Sequence, residues 1–324
     1  MRKLFFAALR LLTLNYYFQR KQKNSLLILM FHQINDKKNT FYPAMSVTAF
    51  SQLCRFIKSN YAVIHLSGID AHFSKSNKPA AIISFDDGHY DILENAYPVL
   101  SSLKMPFNIN IDTEILETGK AQDYVRVYDI LNHTSIDNYY NPKYMKKPIE
   151  VNRGNPMQTE QEFTYLLSGL TIEEKREVTE DLAKKASAKE SDFSKMLSKE
   201  DVQWLSKQDV EFGSHSHTHS ILTKIPSEQA QFELNHSKEV LEKLTEKEVN
   251  VLAYPNGIYD ASIEETAKQS GYSVLLQTKD QINEFVSGQQ EPKSYTRVNQ
   301  YHQSLDEALA HTYGMVNKLK KVLR

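Results

Sequence analysis

Two short, unbroken apolar runs constrain this chain more than any other feature: Leu26-Leu27-Ile28-Leu29-Met30-Phe31 and Ala80-Ala81-Ile82-Ile83-Ser84-Phe85. A strand with one solvated face alternates apolar and polar residues, whereas a run without alternation is a strand covered on both faces, as in parallel sheets flanked by helices. The flanking segments supply those helices. Phe50, Leu53 and Ile57 recur at helical spacing, as do Ile92, Ala96, Val99, Leu100 and Leu103, before a further strand at Phe107-Asn108-Ile109-Asn110-Ile111. Strands alternating with helices predict an α/β chain with a parallel sheet.

From about Lys120 to Met196 the pattern lapses into polar, charged sequence with a Tyr/Asn/Pro-rich stretch near Tyr139 to Pro148 and a helical segment from Ile172 to Lys189. This reads as an insertion, and inserted loops of that kind commonly carry function. Alternation resumes at Leu197, where Ser198 and Asp201 form a capping box and Leu197 and Val202 a hydrophobic staple around it. Strands are expected at 210–213, 249–254 and 272–276, with helices from near Ser227, carrying Ala230, Leu234, Leu241 and Leu244, and from Ser262 to Gln269.

Composition removes several functions. Lys+Arg 39 against Asp+Glu 40 leaves a net charge of −1, so the basic field that collects nucleic-acid phosphates is missing and nucleic acid is not an expected partner. The single cysteine, Cys54, excludes an internal disulfide and Cys-rich zinc sites. In the first 23 residues, Lys3, Arg10 and Thr13 fall on one helical face, and Leu4, Phe5, Ala8, Leu9, Leu11, Leu12 and Tyr16 on the other. Such an amphipathic helix suits peripheral contact with an anionic membrane surface. A helix packed on the domain and an export signal are the other readings, although Arg10 interrupts the apolar run and no small-x-small cleavage site follows. The expected location is cytoplasmic, peripheral to the membrane, with export left open.

The chemistry-bearing residues sit at strand ends. Asp86-Asp87-Gly88 closes the second run, and because neighbouring strand residues point to opposite faces, both carboxylates reach one pocket only if the chain leaves the strand there. Gly88 permits that turn; an ordinary Asp-rich turn is the alternative. His215 and His219 bring their imidazoles to one side if the segment takes a helical turn, with His217 pointing away. Two His and one Asp make a site with open positions for water and substrate, against a solvated loop as the alternative. Strand ends of one parallel sheet share a rim, so the two clusters are expected to meet.

At this point the sequence resembles a known family. Ser84-Phe85-Asp86-Asp87-Gly88 is similar to the (Ser/Thr)-Phe-Asp-Asp-Gly motif of polysaccharide deacetylases, the NodB-homology group of carbohydrate esterases. His215-Ser216-His217-Thr218-His219 resembles their His-(Ser/Thr)-x-x-His motif, Ala253-Tyr254-Pro255-Asn256-Gly257 their third motif, and Met30-Phe31-His32 the Met-Tyr-His that opens many members. The resemblance implies a distorted, NodB-like (β/α) barrel of about seven parallel strands, here with a helical and loop insertion. The chain then divides into an amphipathic segment (1–24), a barrel (25–302, inserted at about 120–196) and a C-terminal helix (303–324). It further implies one divalent cation, Zn2+ first, with Co2+, Ni2+ and Fe2+ also suited to the donors. Asp87, His215 and His219 would hold the cation, and Asp86 would be the general base toward water. The backbone N–H of Asn256, after Pro255, would meet the oxyanion.

Departures from the family pattern are specific. Ala253 stands where many members have an Arg that orients the base; Arg297, from another strand, is the candidate replacement, a surface salt bridge being its other reading. Asn256 replaces a Tyr. The general-acid motif has no clear match, and His302 is the candidate, against a surface-loop His. His32, ending the first strand, is expected to line the site or to make a structural hydrogen bond. The leading expectation is a metal-dependent hydrolase removing acetyl groups from an N-acetylhexosamine-containing glycan or glycolipid, a lipid-linked saccharide if the N-terminus lies on a membrane. An O-acetyl esterase acting on a glycan and a catalytically silent glycan-binding protein are the alternatives, the intact Asp86, Asp87, His215 and His219 arguing against the latter.

Overall fold

Seven parallel strands close on themselves in the computed structural model, which describes residues 23–315 apart from Lys38, Glu190 and Gln290. They are β1 (Ser25–Phe31), β2 (Ala80–Phe85), β3 (Phe107–Ile111), β4 (Val210–Ser214), β5 (Val251–Ala253), β6 (Val274–Thr278) and β7 (Lys293–Asn299). Each pairs with its neighbours in chain order, and β1 completes the ring, Phe31 lying opposite Phe85 of β2 and Met30 opposite Asn299 of β7. Two short strands flank the ring: Ala62–Val63 beside β2, and Asn283–Glu284 antiparallel to β1. The distorted barrel expected from the motifs is therefore the fold. β7 is the strand that no apolar run announces, because Lys-Ser-Tyr-Thr-Arg-Val-Asn carries an arginine on its inward face.

The period of two along each strand sorts residues into a filled interior and an outer surface. Leu26, Ile28, Ala80, Ile82, Val251, Ala253, Val274, Leu276 and Tyr295 meet in one buried cluster, completed by Leu66, Ile69 and Phe73. Two residues further along the same inward faces the interior turns polar, with Ser84, Asn108, Asn110 and Arg297 all buried. The barrel is thus apolar toward the strand N-termini and polar toward their C-termini, the end where barrels of this class carry their sites. Outward residues pack under helices. Phe31 and Phe85 both meet Phe50, at ring distances of 5.2 and 6.0 Å.

Between β1 and β2 lie α1 (Val47–Asn60) and α2 (Ile69–Lys75), and α3 (Tyr97–Ser102) leads into β3. After β3 come α4 (Glu114–Thr118), α5 (Asp123–His133), α6 (Pro156–Ser168) and α7 (Ile172–Lys185). Then α8 (Lys199–Ser206), α9 (Ser227–Thr245) and α10 (Ala261–Gln269) precede β4, β5 and β6, and α11 (Leu305–Thr312) follows β7. The expected capping box opens α8, Ser198 accepting from the Asp201 N–H while Asp201 accepts from that of Ser198. No helix among the described residues is long and apolar enough to cross a membrane. The expected amphipathic segment, up to residue 22, and the expected C-terminal helix, from residue 316 on, lie outside the described residues.

The chain forms two compact units. One is the barrel. The other comprises Lys37–Pro43 and Glu114–Met196, so it starts a little before the expected insertion at Lys120 and recruits a segment from the β1–α1 connection. The recruitment has a visible cause: Asn132 Oδ1 accepts from the backbone N–H groups of Thr40 and Phe41, both at 2.9 Å, and the Tyr42 ring stacks on Tyr128. This second unit buries Phe41, Val125, Leu131, Phe163, Val178 and Leu182.

Candidate metal and acid-base site

The strand end after β2 explains how adjacent carboxylates share a pocket. Asp87 takes φ 72 and Gly88 φ 74, so the chain leaves the pleat one residue earlier than a turn resting on Gly88 alone would require. Left-handed backbone is less costly for Asp than for most residues, and such conformations collect where a site must be held in one arrangement. Both carboxylates are buried, at 2% and 1% exposure.

Arg297, wholly buried on β7, grips Asp86 through Nη1 to Oδ1 at 2.6 Å and Nη2 to Oδ2 at 2.8 Å. It is the buried partner of the aspartate rather than one half of a surface salt bridge. Asn110 Nδ2 adds a bond to Oδ1 at 2.7 Å and also donates to Ser84 Oγ at 3.1 Å. Burial alone would push the Asp86 carboxyl up, but the guanidinium charge and its hydrogen bonds, with His215 and His32 nearby, hold it down at about 2.

Across the pocket, His215 follows β4 and its Nδ1 lies 2.7 Å from the Ala253 carbonyl at the end of β5. A carbonyl only accepts, so Nδ1 carries the proton and Nε2 presents a lone pair. That Nε2 lies 3.5 Å from Asp87 Oδ1, and His219 Nε2 lies 3.5 Å from the same oxygen. The helical turn expected for this segment does not form. Ser216 and His219 take φ 67 and 54 instead, and an irregular loop folds the two imidazoles together at a ring distance of 4.8 Å. Glu233 of α9, 1% exposed, anchors the loop by accepting from the N–H groups of His217 and Thr218 and from Thr218 Oγ1 at 2.6 Å. His217 turns away, as expected, to Thr113 Oγ1.

This donor set fits a divalent cation. The three atoms lie within 4.8 Å of one another. Two ligands about 2.0 Å from one tetrahedral ion stand about 3.3 Å apart, near the observed 3.5 Å spacings, which are too long for good hydrogen bonds. The His215 Nδ1 bond to a backbone carbonyl is the outer-sphere contact that orients ligating histidines. On the other side, Asp87 Oδ2 faces His89 Nε2 at 3.8 Å and His32 Nε2 at 4.0 Å. Although burial raises the Asp87 carboxyl, the surrounding imidazoles His32, His219, His215 and His89 outweigh it and hold the group below the ordinary carboxylate range. His89 is itself pushed down to about 4 by burial, against the opposing charge of Asp87.

The third motif forms a tight turn at the end of β5. Asn256 and Gly257 take φ 55 and 67, and a Cβ on Gly257 would stand 2.7 Å from Thr278 Cβ, so only glycine fits there. Pro255 and Asn256 thus stand two and three residues after Ala253, whose carbonyl orients His215. His302 contacts Tyr301, Glu307 and His311, and no hydrogen bond among the described residues joins it to the site carboxylates.

Three site residues escaped the sequence reading. Asn110 had a signal, since Asn-Ile-Asn-Ile inside a doubly buried strand places two amides on the barrel interior. Glu233 stands between Ala230 and Leu234 on the apolar face of its helix, which a glutamate occupies only when its carboxylate is satisfied. His89, beside the Asp-Asp-Gly turn, differs in no way from a solvent-facing turn histidine until Gln33 Nε2 is found 3.1 Å from its Nδ1.

Comparison with known proteins agrees with this geometry. The family model described as polysaccharide deacetylase matches residues 74–275. No curated protein matches the sequence. The Streptococcus pyogenes deacetylase PplD, solved in complex with acetate, superposes with a TM-score of 0.60 at 17% identity, covering 90% of this chain and 99% of that one. A polysaccharide deacetylase from Bacillus cereus gives 0.57 at 20% identity over 90% of this chain and 69% of that one. A de-N-acetylase from Aggregatibacter actinomycetemcomitans gives 0.52 at 15% identity over 84% and 94%. At these identities the superpositions show a shared fold.

Proposed function

Because the chain belongs to the polysaccharide deacetylase family, we propose that it is a metal-dependent hydrolase that removes acetyl groups from N-acetylhexosamine units of a glycan or glycolipid. The observation carrying this reading is the pairing of one buried aspartate, Asp86, fixed by Arg297, with a second, Asp87, whose Oδ1 faces two imidazole nitrogens at 3.5 Å.

Asp87, His215 and His219 would hold the cation, with Zn2+ the first choice for two imidazoles and a carboxylate. A cation bound there lowers the pKa of water and polarises the acetyl carbonyl. Asp86 takes the proton as water adds to the amide carbon. Its Oδ1 already accepts from Asn110 and Arg297, while Oδ2 accepts, among the described residues, from Arg297 alone and keeps a lone pair for that proton. The backbone N–H of Asn256 is assigned to the tetrahedral oxyanion. When the C–N bond breaks, the amine nitrogen needs a proton. His32, with a side chain 26% exposed beside Asp87, is assigned to deliver it, since His89 is sealed at 1% exposure and bonded to Gln33. Residues 1–23 are assigned to peripheral contact with an anionic, cytoplasmic membrane face, which suits a lipid-linked saccharide.

The test is acetate release from N-acetylglucosamine oligosaccharides and lipid-linked saccharides by chelator-stripped and Zn2+-restored protein, beside Asp86→Asn and Asp87→Ala. Restoration by Zn2+ and a loss of about 10²–10⁴-fold in Asp86→Asn are expected. Acetate released only from O-acetylated glycans would convert the assignment to an esterase. Tight glycan binding without acetate release would make the chain a binding protein.

A further inference from the structure

A second group of metal-ligand types lies in the same barrel unit. His302 follows β7, and Glu307 and His311 stand four residues apart on α11, which puts them on one helical face. Their donor atoms all lie within 4.8 Å of one another. His302 Nδ1 is 3.5 Å from Glu307 Oε1, and the rings of His302 and His311 are 4.0 Å apart.

His302 makes the arrangement informative. It is 2% exposed, yet neither ring nitrogen makes a hydrogen bond among the described residues. An imidazole without a partner in that setting forfeits the hydrogen bonds that water would give it. The 3.5 Å separation from Glu307 is long for a hydrogen bond, and close to the roughly 3.3 Å between two ligands of one tetrahedral ion. Glu307 is 3% exposed, so the site is largely walled off from water.

We infer that His302, Glu307 and His311 form a second divalent-metal site, with Zn2+ the preferred ion and a structural role. Its position accounts for that role. Gln300 N–H donates to the Met30 carbonyl at 2.8 Å, and Gln300 Nε2 to Thr312 Oγ1 at 3.0 Å, so the return from β7 into α11 is already laced to β1. A bound ion clamps the intervening turn from both sides. The inference is independent of the proposed deacetylase centre, with which it shares no residue.

Metal stoichiometry in the full chain tests it. Chelator-stripped protein is titrated with Zn2+ against a chromophoric competitor for the wild type, His311→Ala, Glu307→Gln and Asp87→Ala, with circular dichroism confirming that each variant is folded. His311 is half-buried, and Glu307→Gln preserves side-chain volume, so at least one variant of this site is expected to fold. The expected result is two equivalents in the wild type and one in each variant. One equivalent in the wild type, kept in His311→Ala and lost in Asp87→Ala, overturns the inference and leaves the deacetylase reading standing. Two equivalents kept in both His311→Ala and Glu307→Gln overturn it as well. One equivalent lost in His311→Ala but kept in Asp87→Ala upholds this site and sinks the metal assignment at Asp87.

Discussion

Arg297 meets Asp86 edge to edge, with two parallel N–H···O bonds of 2.6 and 2.8 Å sealed from solvent, joining residues 211 apart in the chain. A guanidinium fork matches a carboxylate in a way an ammonium does not. The pair therefore fixes the plane of the carboxylate as well as its charge.

Lysine at position 297 keeps the charge but gives up one of the two bonds. With roughly 1.5–3 kcal/mol per hydrogen bond to a charged group, Arg297→Lys is expected to slow acetate release about 10–100-fold. Arg297→Met leaves Asp86 buried and unpaired and should lower stability by about 3–5 kcal/mol in urea denaturation. Wild-type activity in Arg297→Lys would show that orientation by the fork is dispensable.

Gly213 lies in β4 where a Cβ would overlap Asn110 Oδ1 and approach Val251 Cγ1 to 3.0 Å. Gly213→Ala should therefore cost about 1–3 kcal/mol through overpacking. In the double variant with Asn110→Ala the cost should be less than additive, because the amide that clashes is gone. Thermal melts of the two singles and the double decide it, and strict additivity would contradict the contact.

Glu233 reaches the putting-together of the two imidazoles only through the loop it anchors, by three bonds to His217 and Thr218. Removing a partner of this outer kind commonly weakens metal affinity 10–100-fold, about the drop expected for Glu233→Ala. Competition titration of Zn2+ at the Asp87 centre measures it. Unchanged affinity would assign Glu233 to stability alone.

His32 Nε2 stands 4.0 Å from Asp87 Oδ2 with its side chain 26% exposed. For His32→Gln, kcat is expected to fall about 10²–10⁴-fold with Zn2+ binding at the Asp87 centre retained. A leaving group more acidic than a sugar amine needs less proton donation, so an activated aryl acetate should lose much less rate. An equal loss on both substrates would remove His32 from the role of acid.

Most of the barrel was legible in the sequence because doubly covered strands leave unbroken apolar runs, as in β1 and β2. β7 has no such run for the converse reason: its inward face carries Arg297, so hydropathy alone does not mark it, and only the family pattern put Arg297 on a strand. The carboxylates and imidazoles were recognisable from motifs a few residues long, and their meeting on one rim followed from the parallel sheet. Arg297 was reached as a partner for Asp86 only through the family pattern, since nothing local links the two, and nothing local links Glu233 to the loop at His217. The expected helical turn over His215 to His219 failed because left-handed residues at Ser216 and His219 bring the rings together by another path. His302 was read as the candidate general acid, against a surface-loop histidine, and its neighbours Glu307 and His311 were then only part of an expected helix.

The closure of β1 against both β2 and β7 sets an order of events during synthesis. Asp86 emerges early, but its guanidinium partner arrives 211 residues later, after every intervening strand has been made. Contacts so distant in sequence form late and slowly. Until β7 docks, the ring lacks its last strand and Asp86 lacks its guanidinium partner, so a chain terminated before Arg297 is expected to carry no competent centre. Maturation of activity is thereby tied to completion of the barrel.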